Sequence, residues 1–301
     1  MGSDFAAVGD GVFVRRHPRL RLNTGLVVGE DACLVIDTRE TVAQGNDLRA
    51  AVRRVTDLPW IVVNTHGHHD HAFGNAAFVP CAVWGHRRCH AMLTHYGEVQ
   101  RAVFRRAALQ AGEPGMATEL AETPIVVPDH LVDDFATIDL GGQVVHLRHP
   151  GRGHTDNDLV VEVAGRAWFA GDLVEEGDPP AFEDAFPLDW PDALADLAAL
   201  DPDVPVVPGH GAVVDARFVA AQRALLAEVA GAVADSFTDG RTVSDTAGRL
   251  AALLALPETT ARAAADRGFR QLRREPAYAD PAVVRAALGL DADSTRAVRE
   301  G

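Results

Sequence analysis

The chain has 301 residues, 47% of them hydrophobic, and its 43 acidic and 28 basic residues give a formal net charge of −15. This composition is typical of a soluble globular protein with enough apolar residues for one large domain or two smaller ones. Every basic residue is Arg, and the negative charge disfavours binding to nucleic-acid phosphates or anionic membranes. We therefore expect a small-molecule substrate as the partner, with no nucleic acid and no membrane.

The first residues and the cysteines indicate the cellular compartment. The first ten residues carry an acid where a signal peptide carries bases, and their apolar stretch is short. Cys33, Cys81 and Cys89 are odd in number and lack CxxC spacing, which argues against a disulfide framework and against a thiolate metal site. We therefore expect a cytoplasmic protein.

The first half of the chain predicts alternating strands and helices. A turn signal at 29–31 separates two apolar runs, and Leu48, Val52 and Val55 stand at helical spacing. The pattern predicts two or three strands over 11–38, the clearest at 25–28 and 32–36. A helix over 41–55, strands over 60–64 and 81–84, and a helix over 86–110 follow. The segment 111–134 is rich in Gly, Pro and acids, so we interpret it as an irregular excursion, of the kind in which substrate-covering loops are often found.

The second half repeats the alternation and then becomes helical. Pro191 indicates a helix start, with Leu194, Leu197 and Leu200 behind it. The predicted strands cover 144–147, 159–163, 167–169 and 204–207, and the predicted C-terminal helices cover 214–235, 242–256, 258–274 and 281–288.

Four short motifs follow strand-like runs and contain metal-ligand residue types. The segment 66–71 reads HGHHDH directly after the apolar run 60–63. The other three motifs are Gly153-His154-Thr155, Ala170-Gly171-Asp172 and Pro208-Gly209-His210-Gly211. Imidazole and carboxylate groups are suitable zinc ligands. The set of motifs therefore predicts a metal site at the ends of strands.

This arrangement resembles the metallo-β-lactamase-fold hydrolase superfamily over about residues 8–215. The resemblance implies an α/β protein with an αββα four-layer sandwich, in which two sheets lie face to face with helices outside. It also implies a dinuclear metal site along one edge of the sandwich. We expect a metallo-β-lactamase-like catalytic domain over 1–215 and a helical C-terminal extension over 216–301.

The resemblance also implies the ligands. His66, His68 and His154 are expected to bind one metal ion, Asp70, His71 and His210 the second, and Asp172 both. We expect two Zn²⁺ ions, with Fe or Mn as alternatives. His69 occupies the variable position of the motif and is expected not to be a ligand. Asp37 resembles an acid that accepts a hydrogen bond from a metal-binding histidine.

The expected reaction is hydrolysis of a small carboxylic ester, thioester or lactone by a metal-bridging hydroxide. Asp70 and Asp172 are both candidates to carry the proton to the leaving group. An alternative is a β-lactam hydrolase, although Asp172 departs from the true β-lactamase pattern and Arg152 would have to replace a missing Lys. Another alternative is an iron-dependent redox enzyme, similar to persulfide dioxygenases, which needs only part of the ligand set.

Two further segments are expected near the site. The loop 175–190 follows Asp172 closely, and Phe182, Phe186 and Trp190 suggest that it presents an apolar surface to substrate. The C-terminal helices are expected to cap the pocket or to form a homo-oligomer contact. We interpret the arginines of 267–274 as a solvated helix face, with anion binding as the alternative. His86 and His149 are expected to be structural, although both could lie near the site.

Overall fold

The computed structural model describes residues 5–282 and residue 284. A seven-stranded sheet carries its strands in sequence order. These strands are β1 (Ala6–Gly9), β2 (Val12–Arg16), β3 (Asn23–Val28), β4 (Cys33–Ile36), β5 (Trp60–Val63), β6 (Val83–His86) and β7 (His130–Val132). Strands β1 to β4 pair antiparallel, whereas β4 to β7 pair parallel.

A second sheet has five strands. They are β8 (Phe135–Asp139), β9 (Val144–Arg148), β10 (Val160–Val163), β11 (Ala167–Glu175) and β12 (Val206–His210), and they lie in the order β12-β11-β10-β9-β8. Strands β8 to β11 form an antiparallel meander, and β12 pairs parallel with β11. The carboxyl ends of β11 and β12 therefore meet at one edge of the sheet.

The helices lie mostly between and after these strands. They are α1 (Val42–Arg53), α2 (His69–Ala72), α3 (Arg87–Gln110), α4 (Pro114–Glu122), α5 (Trp190–Ala193), α6 (Ala195–Ala198), α7 (Ala216–Thr238), α8 (Val243–Leu254) and α9 (Glu258–Leu272). A 3-10 helix spans Phe73–Ala77. Within residues 5–282 no helix combines the length and the apolar character that crossing a membrane requires. Most of the predicted helix over 281–288 lies outside the described residues.

Three apolar clusters fill the spaces between the layers of the fold. Between the sheets, Ile36 and Val63 of the first sheet share a buried cluster with Leu147, Val161 and Phe169 of the second. A second cluster joins α1 to the outer face of the first sheet, and a third joins α5 to α9 to the outer face of the second. Helices therefore cover both outer faces, and the expected αββα sandwich is confirmed.

The interpretation of 111–134 as irregular was wrong. The segment contains helix α4, which has Pro114 in its first turn, where the missing N–H of proline has no hydrogen bond to lose. It also contains strand β7, which pairs with β6 through Trp84 and His130. Strands β1 and β8 were not predicted, and the helix expected to start near Pro191 is two short helices, α5 and α6.

The C-terminal helices share one core with the second sheet. Leu226 and Val229 of α7 and Phe269 of α9 pack in the same buried cluster as Leu173 and Val174 of β11. Thr242 and Asp245 form a capping box that starts α8. Because burial of apolar surface couples these helices to the sheet, we expect the described chain to unfold as one cooperative unit.

Two leucine substitutions test this coupling. Leu226 is fully buried, so Leu226→Ala should lower the free energy of unfolding by about 2–5 kcal/mol. Leu253 is 64% exposed, so Leu253→Ala should change it by less than about 0.5 kcal/mol. Urea unfolding followed by circular dichroism and by tryptophan fluorescence measures both. Two separate transitions, with only one of them shifted by Leu226→Ala, would show that residues 216–301 form an independent unit.

Candidate metal centre

The end of strand β5 positions the segment 66–71. Strands β4 and β5 are parallel neighbours, so Asp37 and this segment leave the first sheet at the same edge. The Asp37 carboxylate accepts hydrogen bonds from the backbone N–H and the hydroxyl of Thr65, both at 2.8 Å. It also lies 2.8 Å from Nδ1 of His71. The hydrogen bond that Asp37 was expected to accept from a motif histidine is present, and it leaves Nε2 of His71 free to face the site.

The first donor group contains His66, His68, His154 and Asp172. Nδ1 of His68 lies 3.0 Å from Nε2 of His66 and 3.0 Å from Nε2 of His154. Oδ2 of Asp172 lies 3.7 Å and 3.6 Å from the same two Nε2 atoms. Two ligand atoms at the zinc–nitrogen bond length in a tetrahedral site are about 3.3 Å apart. The spacing of the first group therefore fits a single ion.

The second donor group contains Asp70, His71 and His210. Nε2 of His210 lies 3.3 Å from Nε2 of His71 and 3.4 Å from Oδ2 of Asp70. Asp172 faces this group as well, with Oδ1 at 3.2 Å from Nε2 of His71 and Oδ2 at 3.3 Å from Nε2 of His210. Asp172 thus lies between the two groups, at the place where the resemblance implies a bridging carboxylate.

Glycine at two motif positions permits this arrangement of Asp172. A Cβ atom at position 209 would lie 1.7 Å from Oδ1 of Asp172, so a side chain there would displace the carboxylate. Gly171 has a φ of +53°, a left-handed conformation that glycine adopts at little cost. Gly209 therefore makes room for the acid between the donor groups, and Gly171 permits the backbone conformation that precedes it.

Burial and neighbouring charges set the protonation of the donors. Burial lowers the pKa of His154 to about 4 and the pKa of His66 well below its usual range, which keeps both rings neutral, as metal binding requires. Burial opposes the ionisation of Asp172, but His71 and His210 hold the pKa of this carboxyl well below its usual range. Oδ1 of Asp172 is buried and has no hydrogen-bond partner among the described residues. This donor set fits a bound cation.

Asp184 contacts the site and was missed in the sequence. Its Oδ2 lies 2.9 Å from Nε2 of His68, which leaves Nδ1 of that ring for the first donor group. Although burial opposes it, the Asp184 carboxylate raises the pKa of His68 to about 9. Arg267 of α9 donates hydrogen bonds to the backbone carbonyls of Asp184 and Ala185 at 2.7 Å and 2.9 Å. A C-terminal helix therefore holds the loop that carries this acid.

Arg267 itself differs from expectation. Arg267 is only 7% exposed, and its guanidinium also donates a hydrogen bond to the carbonyl of Ala277 at 2.7 Å. Arg267 therefore makes structural contacts in the interior and does not belong to a solvated helix face. Arg270, three residues later, forms an ion pair with Asp266 at 2.9 Å, as a solvated face would.

A cavity of about 700 Å³ opens onto both donor groups. The segment 175–184 contributes to its lining, as expected, but through Glu175, Glu176, Asp178, Ala181, Glu183 and Asp184. Phe182, Phe186 and Trp190 are at most 2% exposed and pack in the interior. The interpretation of these aromatic rings as a substrate surface was wrong. The apolar lining comes instead from Leu20, Met92, Phe104 and Ala181.

Other residues considered in the sequence lie outside the donor groups. His69 lines the cavity with its ring stacked on Phe104, the ring centroids 3.4 Å apart, and it belongs to neither group. Arg152 forms an ion pair with Asp189 at 2.6 Å and lines a separate cavity. The rings of His86 and His149 contact each other with centroids 4.2 Å apart, away from the lining of the larger cavity.

A family model described as the metallo-beta-lactamase superfamily matches residues 17–210, and the chain belongs to this superfamily. The matched residues contain all seven side chains of the two donor groups. A search of curated proteins found no match.

Solved structures share the fold at low identity. A metallo-beta-lactamase from Pontibacter korlensis is 21% identical with a TM-score of 0.56, over 74% of this chain and 97% of its own. One from Erythrobacter litoralis is also 21% identical, with a TM-score of 0.54, over 74% of this chain and 95% of its own. The inverting sec-alkylsulfatase Pisa1 from Pseudomonas sp. is 15% identical with a TM-score of 0.70, and the match covers 91% of this chain but 52% of the sulfatase.

The contact between Asp184 and His68 gives a prediction about metal affinity. Asp184→Asn removes the charge that orients the ring and favours its ligand tautomer, so zinc affinity should fall by about tenfold or more. Competition with a chromogenic chelator measures the affinity. Asp189→Asn is the matched control, because this acid lies in the same loop but contacts Arg152. Equal zinc affinities for the two variants and the unsubstituted protein would contradict the role given to Asp184.

Proposed function

We propose that the chain is a dinuclear metal-dependent hydrolase that cleaves a small carboxylic ester, thioester or lactone. The observation that supports this most is the position of Asp172 next to a substrate-sized cavity, with Oδ2 facing both donor groups and Oδ1 facing the second. In this proposal the first ion is held by His66, His68 and His154, the second by Asp70, His71 and His210, and Asp172 contacts both. The proposed metal is zinc, with iron or manganese as alternatives.

Bound divalent ions supply Lewis acidity and lower the pKa of water. The residues of the chain supply position and proton transfer. Asp70 and Asp172 both line the cavity, so either carboxylate is placed to accept a proton from water and to pass it to the leaving group. Asp37 and Asp184 act indirectly, since each fixes one histidine ring. No side-chain nucleophile is needed in this proposal.

The two alternatives receive less support. A β-lactam hydrolase needs a cation for the substrate carboxylate, but Arg152 is held by Asp189 outside the cavity. Among the described residues, Arg21 is the only Lys or Arg that lines the cavity, and it forms an ion pair with Asp178 at 2.5 Å. A mononuclear iron-dependent redox enzyme would leave the second donor group without a function.

Rates on a matched panel of substrates test the proposed reaction. The zinc-loaded protein is assayed with a glutathione thioester, acyl-homoserine and aliphatic lactones, a chromogenic β-lactam and a bis-aryl phosphodiester. We expect turnover of the thioester or the lactones, loss of that turnover after chelation, and recovery when zinc is restored. Turnover of the β-lactam or the phosphodiester alone would contradict the proposed substrate class. No turnover in the metal-loaded protein would favour the redox alternative.

Substitution of Asp172 tests the role of this residue. Asp172→Ala removes both oxygens that face the donor groups, so kcat should fall by about two orders of magnitude or more. Circular dichroism should show that the fold is retained. Asp203→Ala, on an exposed turn remote from the cavity, is the control and should retain full activity. Retention of activity by Asp172→Ala would rule out the proposed mechanism.

A further inference from the structure

A second cavity, of about 410 Å³, lies between the loop that follows Asp184 and the C-terminal end of α9. Its volume is within the range of about 300–1,000 Å³ that is usual for small-molecule sites. None of the seven candidate metal ligands lines it. We call it the arginine cavity, because its lining includes four arginines: Arg152, Arg267, Arg270 and Arg274.

The lining of the arginine cavity carries more positive than negative charge. Only two described carboxylates stand against its four guanidinium groups. Asp189 pairs with Arg152 at 2.6 Å, and Glu275 lies 3.6 Å from Arg270. The other two arginines form no ion pair with any residue of 5–282. In a chain with a net charge of −15, the lining therefore has a local surplus of two positive charges.

Arg267 is a cation that is more than nine-tenths buried and lacks a counter-ion among the described residues. The backbone carbonyls of Asp184, Ala185 and Ala277 accept hydrogen bonds from its guanidinium, but they carry no net charge that would neutralise it. The carboxylate of Asp184 contacts His68 instead. Burial of a charge is costly unless an opposite charge compensates for it. An anion bound in the arginine cavity would supply this compensation.

Arg274 occupies a backbone position that favours glycine. It follows the last turn of α9 with a φ of +57°, in the left-handed region. The N–H of Glu275 donates to the carbonyl of Arg270 at 3.0 Å, which is the hydrogen bond of a helix end where glycine is usual. An arginine at this position costs backbone strain that glycine avoids. Backbone preference therefore does not account for Arg274, whereas a ligand in the cavity would.

The ring of Phe186 gives the arginine cavity an aromatic surface. The guanidinium carbons of Arg152 and Arg267 lie 4.8 Å and 5.6 Å from the centroid of this ring. Leu188 and Pro276 add further apolar surface to the lining. A complementary ligand therefore has an anionic group and an apolar remainder.

The charge of the cavity fits a phosphate monoester. This group carries about −1.5 to −2 near neutral pH, which matches the surplus of two positive charges in the lining. Guanidinium groups bind phosphate oxygens through pairs of parallel hydrogen bonds. A cationic ligand would be repelled, and a single carboxylate or sulfate would leave one positive charge uncompensated.

We propose that the arginine cavity is a second binding site, separate from the metal centre, for a small phosphate monoester with an apolar remainder. Arg267 and Arg274 bind the phosphate group, and the ring of Phe186 contacts the remainder. The ligand is bound there and not cleaved. This inference goes beyond the proposed hydrolysis and does not depend on it, because no candidate metal ligand lines the cavity.

Four probes measure the preference by titration calorimetry with the zinc-loaded protein. They are phenyl phosphate, phenyl sulfate, inorganic phosphate and phenol. We expect phenyl phosphate to bind at least about fivefold more tightly than phenyl sulfate, which has less charge, and than inorganic phosphate, which has no apolar group. Phenol should not bind measurably. Equal binding of phenyl phosphate and phenyl sulfate, or of phenyl phosphate and inorganic phosphate, would overturn the proposed ligand class.

Two substitutions should shift the Kd of phenyl phosphate in opposite directions. Arg274→Gly removes one cation and suits the left-handed backbone, so the fold should persist while Kd rises about tenfold. Asp189→Asn removes the carboxylate that pairs with Arg152, so Kd should fall about threefold. A general loss of stability in the variants would not tighten binding. Arg241→Gln is the control, because it removes one exposed positive charge outside the lining and should change Kd by less than about twofold.

The same variants distinguish the arginine cavity from the metal centre, where zinc ions would also attract a phosphate. Binding in the arginine cavity should persist after chelation of the metal and weaken in Arg274→Gly. Binding that is lost on chelation, or that Arg274→Gly leaves unchanged, would place phenyl phosphate elsewhere and overturn the inference. Equal weakening in Arg274→Gly and Arg241→Gln would assign the effect to the net charge of the protein and overturn it as well.

Discussion

Seven buried or half-buried nitrogen and oxygen donors meet at one edge of the sandwich, and this proximity is the constraint on which the site depends. Polar atoms that face each other in a dry interior are destabilising unless a proton or a cation lies between them. Groups outside the donor set must therefore hold the donors together. Asp37 fixes Thr65 and His71. Asp158 does the same for the loop of His154, accepting hydrogen bonds from the N–H and the hydroxyl of Thr155 at 2.8 Å and 2.6 Å.

The strands bring the donors to the same edge of the fold, and contacts from distant parts of the chain fix the positions of individual side chains. The parallel pairs β4–β5 and β11–β12 bring the motif-bearing ends to a common edge. The C-terminal helices contribute through Arg267, which holds the backbone of Asp184, whose carboxylate in turn contacts His68. These helices therefore support the site from behind the second sheet, through a core that they share with β11.

The sequence predicted what short-range patterns encode. The segment 66–71 and the motifs of His154, Asp172 and His210 predicted the seven side chains that the structure brings together, because their spacing and residue types suit metal ligands directly. Asp184 was not predictable, since its contact with His68 spans 116 residues and its loop has no motif. The prediction for the aromatic rings of the same loop was wrong for a related reason. Tertiary packing decides whether an apolar residue of a loop lines a cavity or fills the core. Helix α4 was missed because Gly and Pro occur near helix starts and are also typical of loops.

We propose that this edge of the fold holds two metal ions and that Asp172 contacts both. Crystals grown with zinc, with diffraction recorded above and below the zinc absorption edge, test it directly. We expect two anomalous peaks, one of them about 2.0–2.2 Å from ligand atoms of His66, His68 and His154, with an oxygen of Asp172 close to both peaks. The second peak should lie at the same distance from Asp70, His71 and His210. A single peak, or peaks that Asp172 does not contact, would contradict a two-metal site bridged by this residue.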